Sequence, residues 1–181
     1  MKGCWLGGVL LLSLLACSSQ KGGESATLTG PLVPDTDIAS ADTPVAAGQL
    51  APGRTFGQTF FCRNNGLTKI EVLLATYTAT IPRGTLNIHL RFGPDQTGDI
   101  ASVTVPASAI KDNSYVALSF PPIRDSAGKT YYFFLESRDV PVGYAFTVWR
   151  SKSDIYPSGS FYADGNSQPH DICFRTYCRP R

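Results

Sequence analysis

The chain reads as an all-β protein, an antiparallel two-sheet β-sandwich of jelly-roll type. Three observations predict it. Apolar and polar residues alternate through most of residues 55–177, turn clusters rich in Gly, Pro, Asn and Asp separate the alternating runs, and no segment carries a helical stripe beyond a single turn at 107–111. Many short strands without crossover helices bury their apolar faces most simply as two packed antiparallel sheets.

About nine strands follow in order. The first spans 55–62 and the second 67–77. The third, 85–92, gives the clearest period of two: Leu86, Ile88 and Leu90 face a core, and His89 between them faces water. Runs at 100–105, 115–120, 130–136, 144–150, 160–163 and 171–177 complete the set. The breaks between them use turn chemistry: Pro82-Arg83-Gly84, Gly93-Pro94-Asp95, Pro121-Pro122, Ala127-Gly128, Pro157-Ser158-Gly159 and Asp164-Gly165-Asn166.

The N-terminus has a different character. Trp5 to Leu15 is apolar and follows Lys2, but it is shorter than the roughly 20 residues that cross a hydrocarbon core; its length suits the apolar region of a signal peptide. From Ser18 to Asp42 the composition is Ser, Gly, Thr, Ala, Pro and Asp with few large apolar residues, a segment unable to offset its ordering entropy by burial. It is expected to be a tether, reaching about 90 Å when straight. The division is therefore 1–16 signal peptide, 17–43 modified cysteine and tether, and 44–181 sandwich domain.

Leu14-Leu15-Ala16-Cys17 resembles the lipobox of bacterial lipoproteins. The resemblance implies that Cys17 carries a diacylglycerol on its thiol and becomes the mature N-terminus, anchoring the protein to a membrane of the cell envelope. Ser18 after the cysteine, in place of Asp, points to the outer membrane by likeness to Gram-negative lipoproteins. Two or three acyl chains at about 0.8 kcal/mol per buried methylene make such an anchor essentially permanent.

Charge narrows the partners. The sequence holds 16 basic and 14 acidic residues, with 14 basic and 10 acidic in residues 51–181, and the basic ones are scattered singly, so nucleic acid is not an expected partner. A second resemblance spans roughly 44–178. The strings GQTFF (57–61), GLTKIEVLLATY (66–77), SFPPIRDSAGKTYYFFLES (119–137), DIYPSG (154–159) and FRTY (174–177) look like a little-characterised bacterial β-sandwich domain, similar in outline to carbohydrate-binding modules. Such domains occur in envelope proteins and beside polytopic glycosyltransferases. A sandwich hosts many activities, so this resemblance speaks to fold more than to function.

Candidate chemistry is sparse. Neither His89 nor His170 is accompanied by a nucleophile elbow or a suitably spaced cysteine, so no catalytic residue is assigned and a hydrolase is the minor alternative. Ala127-Gly128-Lys129-Thr130 mimics the end of a phosphate loop, but Ile123 stands where a glycine is required and a strand follows. The turns around Asp95, Asp99 and Asp164 lack full calcium-loop spacing, and no metal or other cofactor is expected. Aromatics remain, because sugar rings stack on flat side chains while their hydroxyls pair with amides and carboxylates. Trp149, Tyr156, Tyr162, Asp154 and Asn166 are the ligand-binding candidates, with Tyr156 and Tyr162 expected on the surface. The leading expectation is a non-catalytic envelope module that binds a glycan or a partner protein; the alternative is a structural accessory of an envelope assembly, such as one for polysaccharide synthesis or secretion.

Of five cysteines, Cys62, Cys173 and Cys178 remain once Cys4 is removed and Cys17 is acylated, and an envelope location favours one disulfide. A jelly roll commonly sets its first strand beside its last, which would bring Cys62 to 171–177. Strand alignment favours Cys173 as partner, whereas the facing of Phe60 and Phe174 favours Cys178; the first is slightly preferred. The alternative to a disulfide is three reduced, buried thiols, and a zinc site finds no support in Cys-x-x-Cys or His-x-x-x-His spacing.

Overall fold

A computed structural model describes residues 28, 30–38, 44–81, 83–141 and 143–180. The signal segment, Cys17 and most of the tether lie outside them. Among the described residues no helix is long and apolar enough to cross a membrane.

The alternating runs form strands and close a sandwich of two antiparallel six-stranded sheets. In chain order the strands are β1 (Val33–Asp37), β2 (Val45–Ala46), β3 (Thr55–Cys62), β4 (Leu67–Ala75), β5 (Thr85–Arg91), β6 (Ala101–Pro106), β7 (Ser114–Ile123), β8 (Lys129–Arg138), β9 (Thr147–Arg150), β10 (Phe161–Ala163), β11 (Asn166–Gln168) and β12 (Phe174–Cys178). The first sheet runs β1-β12-β4-β9-β2, with β7 also paired to β4; the second runs β11-β10-β3-β8-β5-β6.

Among the described residues twelve strands replace the expected nine. The three additions are β1, β2 and β11, and each is short, polar or at an edge. β11 exists because Asp164 and Gly165 both adopt positive φ, closing a two-residue hairpin in which Ala163 pairs with Asn166. β1 lies inside the expected tether. It pairs with the exposed edge of β12, and it is fixed by a buried carboxylate instead of an apolar stripe: Asp35 accepts from the backbone N–H groups of Arg63 and Asn64 and from the Asn64 side chain. Backbone pairing and charge-assisted hydrogen bonds leave no hydrophobic period to read.

The core lies between the sheets. Phe60 of β3 packs 5.9 Å from Tyr131, 6.1 Å from Phe133 and 5.9 Å from Phe174 of the facing sheet. Leu86, Ile88 and Leu90 point into it fully buried, as their alternation predicts. The outer face of the first sheet is occupied by its own pairs. Tyr177 donates to Glu71, Lys69 pairs with Glu71, and Arg175 lies 4.2 Å above Tyr115 while bonding Asp37.

Candidate functional site

The outer face of the second sheet is built differently. β8 reads Tyr131-Tyr132-Phe133-Phe134-Leu135, apolar on both faces, and sits in the sheet centre between β3 and β5. Tyr131, Phe133 and Leu135 fill the core. Tyr132 and Phe134 turn outward, and both are more than 90% buried there. Register supplies their neighbours: Phe134 stands opposite Gly57 on β3 and His89 on β5, and Gly57 stands opposite Tyr162 on β10.

The side chains form a continuous stack. His89 lies flat on Phe134 at 4.4 Å with the ring planes 8° apart, Tyr132 stacks on Phe134 at 5.8 Å, and Tyr162 meets Tyr132 edge-on at 5.5 Å. The Arg91 guanidinium covers Phe134 at 4.4 Å. Gly57 makes room, since a Cβ there would overlap the Tyr132 ring. Thr55, Arg91, Pro94, Tyr132, Phe134 and Gly165 line a cleft of about 180 Å³ over this stack. It is smaller than the 300–1,000 Å³ usual for drug-sized ligands. A larger cleft of about 670 Å³, lined by Arg83, Gly84, Thr85, Asp139, Val140 and Pro141, offers no aromatic surface.

Polar groups are held around the cleft. Asp99 accepts from Arg91 Nε at 2.6 Å and bonds His89 Nδ1 at 2.7 Å. Burial alone would raise its pKa, yet the Arg91 and His89 bonds hold the carboxyl below the usual range. Asp164 accepts from Thr55 N–H and Arg54 Nε and is lowered in the same way against its own desolvation. Burial, with a smaller contribution from Tyr162, pushes the Tyr132 hydroxyl up to about 12, so it stays protonated as a hydrogen-bonding group at neutral pH. Among the described residues His89 Nε2 is buried with no hydrogen-bond partner, and Glu136 Oε1 lies 3.7 Å from it.

The sequence-derived candidates divide. Tyr162 and Asn166 sit together on the β10–β11 hairpin beside the cleft, where Asn166 Nδ2 donates to the Asp164 carbonyl. Trp149 belongs to the first sheet and donates to Asn113 Oδ1 at 2.9 Å. Asp154 is exposed in the loop before β10. Tyr156 is not a surface residue: it is 4% exposed, its ring meets Phe174 at 5.8 Å, and its hydroxyl bonds the backbone of Phe61. The loop that carries it folds inward because Asp171, fully buried, accepts from Ile155 N–H, Tyr156 N–H and Gln58 Nε2. His89 does lie on the outer face, but under cover of the aromatic stack instead of in water.

Sequence reasoning missed Tyr132, Phe134 and Arg91. The signal was the unbroken apolar run 131–135. A half-buried strand alternates, so five apolar residues in succession mark a strand covered on both faces.

The cysteines also depart from expectation. β3 and β12 are in different sheets, so Cys62 and the C-terminal strand meet face to face across the sandwich and not side by side. Cys62 Sγ lies 3.8 Å from Cys178 Sγ, a non-bonded separation, and no disulfide is formed. The slightly preferred Cys173 is one residue out of phase with inward Phe174 and falls on the other face, where Tyr115 is among its electrostatic neighbours. Facing residues, not strand alignment, decide the neighbour. Asp35 joins the two sulfurs in a buried group whose ligating atoms all lie within 4.8 Å of one another, the one such group among the described residues. Comparison of the chain with protein-family models and with curated proteins finds no match.

Proposed function

We propose that this is a lipid-anchored, non-catalytic module of the bacterial envelope that binds a glycan on the outer face of its second sheet. The observation that carries the reading is the Tyr162-Tyr132-Phe134-His89 stack beneath an open cleft. Tyr162, the half-buried tyrosine of the stack, and the exposed edges of Tyr132 and Phe134, with oriented donors and acceptors around them, suit a sugar ring, which offers apolar C–H faces and equatorial hydroxyls. Arg91 and Arg54 are each paired with a carboxylate, so the cleft favours an uncharged sugar unit over an anionic one. The lipobox resemblance supports the anchor at Cys17, and the likeness in outline to carbohydrate-binding modules agrees with the site. Export also favours oxidation of one pair among the three remaining cysteines.

Titration with neutral hexose and N-acetylhexosamine oligosaccharides, followed by NMR shifts of the Tyr132 and Phe134 rings, tests the reading. Tyr162→Ala and Arg91→Ala should each weaken binding about tenfold while thermal unfolding remains cooperative. Absence of binding to any glycan, together with a stable protein complex recovered from detergent-solubilised membranes, would favour the structural-accessory alternative.

A further inference from the structure

Cys62 ends β3 and Cys178 ends β12, one on each sheet, and both side chains point into the same end of the core with no exposure to solvent. Their sulfurs are 3.8 Å apart, and both face the Asn64 carbonyl oxygen, at 3.1 and 3.5 Å. That carbonyl also accepts from Ser126 Oγ at 2.9 Å, so it stays satisfied when the thiol protons leave. Asp35 lies against the pair, held by the backbone of residues 63–64. Two thiolates beside a buried carboxylate would gather three negative charges in one buried place. Oxidation removes the ionisable thiols altogether.

We propose that Cys62 and Cys178 form a disulfide in the exported protein, a clamp across the sandwich that leaves Cys173 as a thiol. The oxidising setting rests on the envelope reading above; the pairing does not. With oxidised glutathione as oxidant, and before folding closes the core over it, Cys62 thiolate attacks one glutathione sulfur and expels a glutathione thiolate. Cys178, on losing its proton, then attacks the Cys62 sulfur of the mixed disulfide and expels the second. Two protein thiols and one small disulfide thus yield one protein disulfide and two glutathione thiols. The bond closes a loop of 116 residues and joins the two sheets at the end where β1 docks.

Trypsin separates the three cysteines, giving peptides 55–63, 153–175 and 176–181. Full-length protein should be alkylated at harvest from membranes, and in parallel after refolding in a glutathione redox buffer, then mapped without reduction. The expected result in both is 55–63 linked to 176–181, with alkylated Cys173 in 153–175. Reduction should lower the melting temperature by on the order of 10 °C in wild type and in Cys173→Ser, and leave that of Cys178→Ser unchanged. A link from 153–175 to either other peptide, or three alkylated thiols after refolding, would overturn the pairing. So would one equivalent of zinc that shields Cys62 and Cys178 from alkylation and is lost in Asp35→Ala. The link after refolding but three alkylated thiols in harvested protein would overturn the proposal through the envelope reading alone.

Discussion

Gly57 decides how the outer face of the second sheet is made. It stands in a sheet centre, where glycine ordinarily weakens a strand, and its missing side chain is the space in which the Tyr132 ring lies. Gly57→Ala should cost about 1–3 kcal/mol in urea unfolding and displace Tyr132, with loss of glycan affinity as well. Asp99 makes the face depend on pH. Its folded pKa is depressed despite partial burial, because Arg91 and His89 favour the charged form. A depressed carboxyl contributes stability that is complete above its unfolded value of about 3.9 and is lost as pH falls through the lower folded value. Urea midpoints should therefore decline as pH drops below about 4, and Asp99→Asn should flatten that decline while lowering the midpoint at pH 7. None of these roles is written in the residue types alone. Gly57 reads only as one residue of the strand 55–62 until the register sets Phe134 beside it, and Asp99 reads as a turn residue until β5 brings His89 and Arg91 to its side.

Single strands show which elements a sequence can announce. β5 alternates cleanly, and Ile88 is fully buried as its period requires; Ile88→Ala should cost about 2–4 kcal/mol in thermal or urea unfolding. His89→Ala, which a water-facing position would leave neutral, should instead cost about 1 kcal/mol, because it removes a ring stacked on Phe134 and the bond to Asp99. β8 breaks alternation at Tyr132 and Phe134, and the break itself locates the candidate site. β1 was illegible for a different reason: its stability rests on the β12 edge and on Asp35, neither of which leaves a period in Val33-Pro34-Asp35-Thr36-Asp37. Asp35→Ala strands the N–H groups of Arg63 and Asn64 at a part-buried site and should lower stability by about 1–3 kcal/mol, with hydrogen exchange rising first across residues 33–38 and 63–64.

At the scale of the molecule, two sheets and a core follow from alternation and turns, whereas the candidate cleft depends on which strands become neighbours. Tyr162 and Arg91 are 71 residues apart and reach opposite sides of the Tyr132–Phe134 pair only because β10, β3, β8 and β5 lie in that order. The docking of β1 also changes how the domain would stand relative to a membrane. The chain from Cys17 to Val33, whatever its conformation, spans at most about 55 Å, against about 90 Å for a tether running to Asp42. The proposed anchor at Cys17 and the cleft-lining residues are distant in sequence, so the two proposed roles should fail separately. Cys17→Ala should move the protein from the membrane pellet to the soluble fraction, or leave it as uncleaved precursor, because lipid attached to that thiol is the proposed link to the bilayer. The same variant should bind the test oligosaccharide with unchanged affinity, while Tyr162→Ala should remain in the pellet and bind weakly. Fractionation, mass measurement of the mature N-terminus and titration of both variants check the pair of outcomes. Wild-type protein recovered soluble, cleaved and without lipid would remove the anchor and leave the cleft standing, whereas weakened binding by soluble Cys17→Ala would mean that the membrane-side segment forms part of the site.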